Sequence, residues 1–190
     1  MNHALAVGGI SYQKQVVELL LGTDVDHYGL INFTGTITLV ESVGGVTLDN
    51  PEAFTVGDET FAEGQLSLDG EQALTYARYR GGADGDFGRI NRQQQIIQAI
   101  VSQASSMDIV RNALPMLNLV GDHTRTDLTV DELLQLAGQY RSTCTESTFE
   151  MQHLSGSVQT LPDPLLEMDL SYVIVDEEEV QRQIEWLTGE

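Results

Sequence analysis

Arginine is concentrated in one short stretch of this 190-residue chain. Four of the 9 basic residues lie within it, while the whole chain has 29 acidic residues and a formal charge of −20. The planar guanidinium of arginine binds a phosphate or a carboxylate with two parallel hydrogen bonds, whereas lysine acts as a point charge. The stretch therefore predicts either anion binding or pairing with the chain's own carboxylates, and spacing alone leaves both open. The arginine cluster consists of Arg78, Arg80, Arg89 and Arg92.

The second half of the arginine cluster opens a helix that is predicted from Gly88 onward. At 3.6 residues per turn, Arg89 and Gln93 share a side with the apolar residues, and Arg92 flanks that side. An inward guanidinium is costly unless it is paired. A phosphate at this helix N-terminus would satisfy the arginines, the free backbone N–H groups and the helix dipole together. The pattern favours a diphosphate site. The apolar side consists of Ile90, Ile96, Ile97, Ile100, Val101 and Ala104.

Other residues that could do chemistry are scattered. The histidines have no spacing typical of a pair of metal ligands, and the only cysteine, Cys144, has no adjacent base. We expect structural or surface roles for these residues. The histidines are His3, His27, His123 and His153.

Two further features bear on cations and nucleotides. Asp24 and Asp26 could bind a cation, but the sequence favours a turn after Gly22 as their explanation. The sequence contains no glycine-rich phosphate loop, so it does not support a nucleotide substrate.

Composition limits the classes of function. Duplex nucleic acid must be met by a basic face, so a charge of −20 argues against nucleic-acid binding. With 41% hydrophobic residues the chain can bury a core, and we expect a single domain over residues 1–190. The apolar runs are too short to span a bilayer, and one cysteine excludes an internal disulfide.

Hydrophobic periodicity predicts alternating helices and strands, which is typical of the α/β class. In the first half, Thr34 is the predicted N-cap of the second helix, and Asp69 with Gln72 forms a predicted capping pair. The predicted elements are a helix over 11–22, strands over 27–33 and 46–48, a helix over 33–44, a polar connection over 49–66, and a helix after Asp69.

The second half is predicted to be mainly helical. Thr129 with Glu132 and Asp176 with Glu179 form capping pairs, and Gly189 ends the last helix. The predicted elements are the helix from Gly88, a helix over 109–119 interrupted by Pro115, a helix over 130–140, a buried strand over 170–175, and a helix after Asp176.

Five segments together resemble the LytR-CpsA-Psr domain. The most characteristic are LDGEQALTYARYR (Leu68–Arg80) and DFGRINRQQQII (Asp86–Ile97). Three others occur in the family's order, namely NHALAVGG (Asn2–Gly9), LLGTDVDHYGLINF (Leu20–Phe33) and VESVGGV (Val40–Val46). The resemblance covers nearly the whole chain.

The resemblance implies a three-layer αβα fold with a mixed central sheet and an apolar channel for a lipid tail. It also implies an extracytoplasmic, membrane-anchored bacterial enzyme that depends on Mg²⁺. Such enzymes transfer a glycopolymer, of teichoic acid or capsule type, from a polyprenyl pyrophosphate carrier to peptidoglycan.

The family's functional residues can be transferred to single positions of this chain. Arg80, Arg89 and Gln93 match positions that contact the pyrophosphate, so they are the predicted catalytic residues and should converge on one pocket. Arg78 and Arg92, in the same cluster, are also predicted to bind the pyrophosphate, with one of them at the rim of the pocket. Asp86 is expected to orient an arginine. The helix residues Ile96, Ile97, Ile100 and Val101 either line the lipid channel or form ordinary core.

The resemblance also predicts parts that would precede Asn2. These are a membrane helix and the first strands, which carry the aspartates that bind Mg²⁺ in the family. We therefore expect residues 1–190 alone not to turn over. We also expect this chain either to expose an apolar patch near the arginine cluster or to pair with a second copy.

Two alternatives to transfer remain open at this point. The first is a binding module that recognises polyprenyl pyrophosphate without turnover, in line with the family's other description as envelope-related transcriptional attenuators. The second is hydrolysis of the pyrophosphate lipid, which differs from transfer only in the acceptor.

Overall fold

The structure is a computed structural model of the chain. It describes residues 2–82, 85–106, 121–143, 151–152, 154, 156–163 and 166–189. The chain divides into two compact units, one formed by Met1–Tyr28 with Met151–Glu190 and the other by Gly29–Glu150. In the described ranges, no helix is both long and apolar enough to cross a membrane.

Two helices and a β-hairpin make up the described part of the first unit. Helix α1 has a kink at Gly9, where φ is +65°, so the predicted helix from Ser11 corresponds to its second segment. The helix ends as predicted at Gly22, whose φ is +64° and whose N–H donates to the Glu18 carbonyl. The elements are α1 (Asn2–Leu21), β7 (Ser157–Asp163), β8 (Met168–Ile174) and α6 (Glu177–Thr188).

Two predictions in this unit need correction. The strand predicted over 170–175 is present as β8, but its side chains are exposed or half-buried, because a two-stranded hairpin leaves much of its surface to solvent. Asp176 is the N-cap of α6 but makes no side-chain cap hydrogen bond. Its expected partner, Glu179, is buried and pairs instead with Arg182 one turn later.

In its described residues, the second unit has six strands, four helices and a 3₁₀ turn over Gly121–His123. Its strands are β1 (Gly29–Ile31), β2 (Val46–Asn50), β3 (Phe54–Val56), β4 (Glu59–Phe61), β5 (Gly64–Leu68) and β6 (Thr124–Thr126). Its helices are α2 (Phe33–Ser42), α3 (Gly70–Arg78), α4 (Gly85–Ser106) and α5 (Val130–Thr143). The helix predicted over 109–119 lies outside the described residues.

The strand pairing confirms the α/β class but differs from a mixed central sheet. In the described residues the strands form four two-stranded antiparallel sheets, β1–β6, β2–β5, β3–β4 and β7–β8. The β3–β4 and β7–β8 pairs are hairpins. The β3–β4 hairpin lies between β2 and β5 in the sequence, and β2 pairs with β5. Short connections of this kind bring strands together antiparallel, whereas parallel pairs need a crossover.

Sequence reasoning missed the β3–β4 hairpin, because it assigned residues 49–66 to a polar connection. Each strand has only three residues, so its alternation of apolar and polar side chains is too short to stand out. The sequence feature that could have predicted the hairpin is Gly57-Asp58, which forms the turn between β3 and β4. Gly57 has a φ of +61°.

The helix caps are local features, and most of them follow the prediction. Asp69 and Gln72 form the complete capping box of α3, and Thr129 and Glu132 do the same for α5. Helix α2 is the exception, because its N-cap is Asn32 instead of Thr34. The Asn32 Oδ1 accepts a hydrogen bond of 2.8 Å from the Gly35 N–H.

The core of the second unit lies between β2, β5 and the helices α2, α3 and α4. Strand β2 alternates strictly, with Val46, Leu48 and Asn50 buried and the two residues between them exposed. The core is made of Val40, Val43, Val46, Leu48, Phe61, Leu68, Ala73, Tyr76, Ala77, Ile96 and Ala99.

A hydrogen-bond network around Tyr76 crosses this core. The Tyr76 hydroxyl is fully buried and lies 3.1 Å from Asn50 Oδ1 and 2.8 Å from Gln95 Oε1. Both amides are oriented by their nitrogens, since Asn50 Nδ2 donates to the Ala62 carbonyl and Gln95 Nε2 donates to the Asp49 carbonyl. One hydroxyl proton therefore serves two amide oxygens, and the network joins β2, α3 and α4.

We expect Tyr76→Phe to lower the free energy of unfolding by about 1–3 kcal/mol, because the buried Asn50 and the half-buried Gln95 lose the donor that their amide oxygens share. Denaturant unfolding measures the change. Tyr12→Phe is the matched control, since Tyr12 is 46% exposed and should change stability by less than about 0.5 kcal/mol. Equal stabilities of the wild type and Tyr76→Phe would contradict this account of the network.

The same residue predicts a loss of stability at alkaline pH. Burial raises the pKa of Tyr76 above its ordinary value of 10.0, the nearby Asp49 adds to the rise, and Arg92 opposes it. Above about pH 10 the unfolded chain loses this proton while the folded chain retains it, so the free energy of unfolding falls as the pH rises.

Denaturant unfolding at several pH values between about 8 and 11 tests this loss. A hydrogen bond to Asp163 raises the pKa of Tyr172 in the same direction, so the wild type is compared with Tyr76→Phe. The wild type should lose more stability over this range than the variant. Parallel pH profiles would show that Tyr76 does not contribute.

Candidate functional site

The arginine cluster lies where α3 ends and α4 begins. Helix α3 ends because its C-cap, Tyr79, is extended, with φ −60° and ψ 132°. The chain then turns through Gly82, whose φ is +96°, and enters α4 at Gly85, whose φ is +49°. Arg78 therefore occupies the last turn of α3, Arg80 follows the C-cap, and the other two arginines lie in the first turns of α4.

Arg92 is half-buried and contacts the end of α3. Its Nη2 donates a hydrogen bond of 2.7 Å to the Tyr79 carbonyl oxygen. Its guanidinium carbon lies 4.9 Å from the centroid of the Tyr79 ring and 5.4 Å from that of Phe54. The Nε of Arg92 is buried and has no hydrogen-bond partner among the described residues. The described contacts of Arg92 are therefore intramolecular, with one backbone carbonyl oxygen and two aromatic rings.

Arg78 points toward the start of α2. Its guanidinium carbon lies 4.5 Å from the centroid of the Phe33 ring, which is 59% exposed. In the described part of the chain, Arg78 and Arg92 thus contact rings and a carbonyl oxygen. A ring attracts the cation without cancelling its charge, so Arg78 and Arg92 retain their positive charges.

The three residues matched to pyrophosphate contacts differ in exposure. Arg80 and Gln93 are exposed, while Arg89 is half-buried in the second turn of α4. Arg89 and Gln93 are four residues apart and share one helix face. The predicted inward orientation of that face is wrong for Gln93, because its side chain is exposed. The convergence of Arg80 on that face stays a prediction.

The four α4 residues expected to line the lipid channel also differ in how far they are buried. Ile96 is 3% exposed and belongs to the core, and Ile100 packs against the core. Ile97 is 47% exposed, and Val101 is half-buried. The core interpretation fits Ile96, while a channel lined by all four residues stays a prediction.

The acidic candidates do not form a metal site in the described residues. Asp24 and Asp26 are exposed, and the Asp26 carbonyl accepts a hydrogen bond from Lys14. The side chain of Asp86 and all of Asp84 lie outside the described part, as does Cys144. Among the side chains that the structure describes, no three of His, Cys, Asp or Glu could hold a metal ion together. The expected Mg²⁺ therefore has no fitting ligand set here.

Among the histidines, His123 has a side-chain contact that the structure describes. His123 lies in the 3₁₀ turn, where its carbonyl accepts from the Asn32 N–H and its ring nitrogen Nδ1 is 3.5 Å from the Asn32 amide. This contact joins the turn to the start of α2. His27 is exposed, His153 is outside the described residues, and His3 has only its backbone described in α1. The His123 contact is structural, as expected.

A cavity of about 540 Å³ opens beside the Gly44-Gly45 turn of the second unit. Its polar groups are already engaged, because Asp69 and Gln72 form the α3 capping box. The carboxylates of Glu41 and Asp69 would repel an anion. Along α4 its rim at Gln103 is roughly 16 Å from Arg92, at 1.5 Å per residue. The cavity therefore does not extend the arginine cluster.

Comparison with known proteins identifies the family of the chain. The chain matches the model of the LytR_cpsA_psr family over residues 1–187. It is similar to the polyisoprenyl-teichoic acid–peptidoglycan teichoic acid transferase TagU of Enterococcus faecalis, with 37% identity over 183 residues. It is 35% identical over 184 residues to the TagU protein of Halalkalibacterium halodurans. Both alignments cover 96% of this chain and 58% of the relative, so the chain spans 58% of the length of each.

Solved structures give the same grouping. TagV of B. subtilis superposes with a TM-score of 0.83 and 28% identity, covering 99% of this chain and 72% of TagV. A protein of Enterococcus faecalis described as a transcriptional regulator superposes with a TM-score of 0.84 and 30% identity, covering 99% of this chain and 67% of that protein. The chain belongs to the LytR_cpsA_psr family.

Proposed function

We propose that the chain carries the pyrophosphate-binding part of a cell-wall glycopolymer transferase. The substrate would be a polymer of teichoic acid or capsule type on a polyprenyl pyrophosphate carrier, and the acceptor would be peptidoglycan. The observation that carries the proposal is the arginine cluster at the α3–α4 connection, where ring contacts retain positive charge within a chain of net charge −20. The names of the TagU relatives support the same chemistry.

The reaction requires charge stabilisation more than covalent help from the protein. An acceptor hydroxyl attacks the phosphorus next to the sugar, the bond from that phosphorus to the bridging oxygen breaks, and polyprenyl phosphate leaves. The hydroxyl proton is lost to solvent or a base, and negative charge grows on the leaving phosphate. Arg80 and Arg89 would neutralise this charge, and Gln93 would donate a hydrogen bond to a phosphate oxygen.

The resemblance also implies Mg²⁺, which would add positive charge at the diphosphate when bound. Because the described residues offer no set of three metal ligands, the steps above use only the side chains of this chain.

The location of the complete protein follows from its proposed substrate. A polyprenyl tail holds the carrier in the bilayer. We therefore propose that the complete protein is extracytoplasmic and is anchored in the membrane by a helix.

Two alternative functions would use the same site. Hydrolysis differs from transfer only in that water attacks in place of a sugar hydroxyl. A module that binds the lipid without turnover would need the same arginines.

Self-association is also part of the proposal. Two-stranded sheets leave strand edges open, and a second copy of the chain could pair with them. The acidic composition argues against a regulator that binds DNA directly.

We expect Arg89→Ala to weaken binding of farnesyl pyrophosphate by about 2 kcal/mol, or roughly 30-fold, because a charge-assisted contact is lost. Isothermal titration calorimetry measures the affinity. Arg125→Ala is the matched control, since Arg125 is an exposed arginine of β6 in the same unit. Wild-type affinity should fall as salt is added, and Arg125→Ala should bind like the wild type.

Two results would contradict the proposal. Equal affinity of the wild type and Arg89→Ala would remove Arg89 from the site. Equal affinity of the wild type for farnesyl pyrophosphate and for farnesol would show that the diphosphate is not recognised. Release of polymer phosphate without a peptidoglycan adduct, in the complete protein, would favour hydrolysis over transfer.

A further inference from the structure

Arg92 restrains both the backbone and the side chain of a single residue. Its Nη2 binds the Tyr79 carbonyl at 2.7 Å, and its guanidinium lies over the Tyr79 ring at 4.9 Å. The carbonyl fixes the peptide plane that leads into Arg80, and the ring contact fixes the side chain on the same Cα. These two contacts cross 13 residues of sequence and join α4 to the C-cap of α3.

Tyr79 is held from two other directions as well. Its ring stacks on Phe54 of β3, with centroids 4.1 Å apart and planes inclined by 3°. On another side, Gly81 approaches so closely that a Cβ there would lie 2.1 Å from the Tyr79 hydroxyl and 2.3 Å from the ring carbon Cζ. The segment 79–81 therefore has little room to move, and Arg80 lies in its middle.

We propose that Arg92 is a positioning residue that acts through Tyr79 on Arg80, and that it is not itself a ligand of the substrate. One Nη donor is used on the Tyr79 carbonyl, Nε is buried, and the guanidinium carbon lies over the rings of Tyr79 and Phe54. This differs from the expectation that Arg92 joins the other arginines in contacting pyrophosphate. The role of Arg80 as the ligand rests on the proposed function, whereas the restraint on Tyr79 does not.

Arginine is required at this position for geometric reasons. The guanidinium can stack on a ring with its flat face while an edge N–H donates in the plane to a carbonyl. A lysine retains the charge but has no planar face, so it cannot make both contacts at once. Arg92→Lys therefore removes the restraint and leaves the local charge unchanged.

Hydrogen exchange of the backbone amides tests the restraint without any ligand. In Arg92→Lys, amides of residues 79–82 should exchange about tenfold faster than in the wild type, with little change elsewhere. The control is Arg125→Lys, an exposed arginine of β6 outside the cluster, which should leave the segment unchanged. Unchanged exchange at residues 79–82 in Arg92→Lys would overturn the proposal.

A second variant reaches the same segment from the opposite side. Gly81→Ala leaves all four arginines in place but forces the Tyr79 ring away from Phe54. It should also speed exchange at residues 79–82. If Arg92→Lys fails to fold, Gly81→Ala decides the outcome, and unchanged exchange in it would overturn the restraint on Tyr79.

A double-mutant cycle separates positioning from direct binding. Farnesyl pyrophosphate affinity is measured by calorimetry for the wild type, Arg92→Lys, Arg80→Ala and the double variant. If Arg92 acts through Arg80, its roughly fivefold effect on affinity should vanish once Arg80 is replaced. Additive losses would show that Arg92 binds the substrate directly and would overturn the proposal.

Hydrogen exchange and calorimetry test the role of Arg92 and the proposed function separately. If the wild-type chain does not bind farnesyl pyrophosphate, the proposed function fails. The exchange measurement then still decides whether Arg92 restrains the segment that carries Arg80.

Discussion

The second unit depends on one buried hydroxyl proton that two amide oxygens share. Tyr76 can satisfy Asn50 and Gln95 only when β2, α3 and α4 lie within hydrogen-bond distance of one another. A buried polar network is tolerated only when its members are paired, so these three elements cannot separate without leaving unsatisfied groups. The network therefore sets where the end of α3 lies relative to the start of α4, and that junction carries the arginines.

Aromatic contacts extend this restraint from the core to the surface. Phe54 touches Tyr76 in the core, at a centroid distance of 5.4 Å, and stacks on Tyr79 at the C-cap. Arg92 then lies against both Phe54 and Tyr79. A continuous set of contacts thus leads from a fully buried tyrosine to the residue before Arg80. The β3–β4 hairpin has a function in this arrangement, because it supplies the ring on which Tyr79 stacks.

The sequence predicts local features well and contacts between distant residues poorly. The capping box of Asp69 and Gln72 is visible because its two residues are three apart and form the same bonds in any helix. The predicted capping pair of Asp176 and Glu179 does not form, because Glu179 pairs with Arg182, which is also three residues away. The predicted inward face of α4 is only partly right, because Ile96 is buried but Gln93 and Ile97 are exposed. Periodicity also could not show that Arg92 meets Tyr79. That contact exists only once Tyr76 and Gln95 have brought α3 against α4.

The choice between self-pairing and anion binding, which spacing leaves open, depends on what holds each arginine. A carboxylate partner would neutralise a guanidinium, so a cluster paired with the chain's many acids would have little field left for a phosphate. Rings and carbonyl oxygens orient a guanidinium and leave its charge intact. For Arg78 and Arg92, the described contacts are of the second kind. In a chain of net charge −20, retaining positive charge at the α3–α4 junction is the arrangement that a diphosphate site requires.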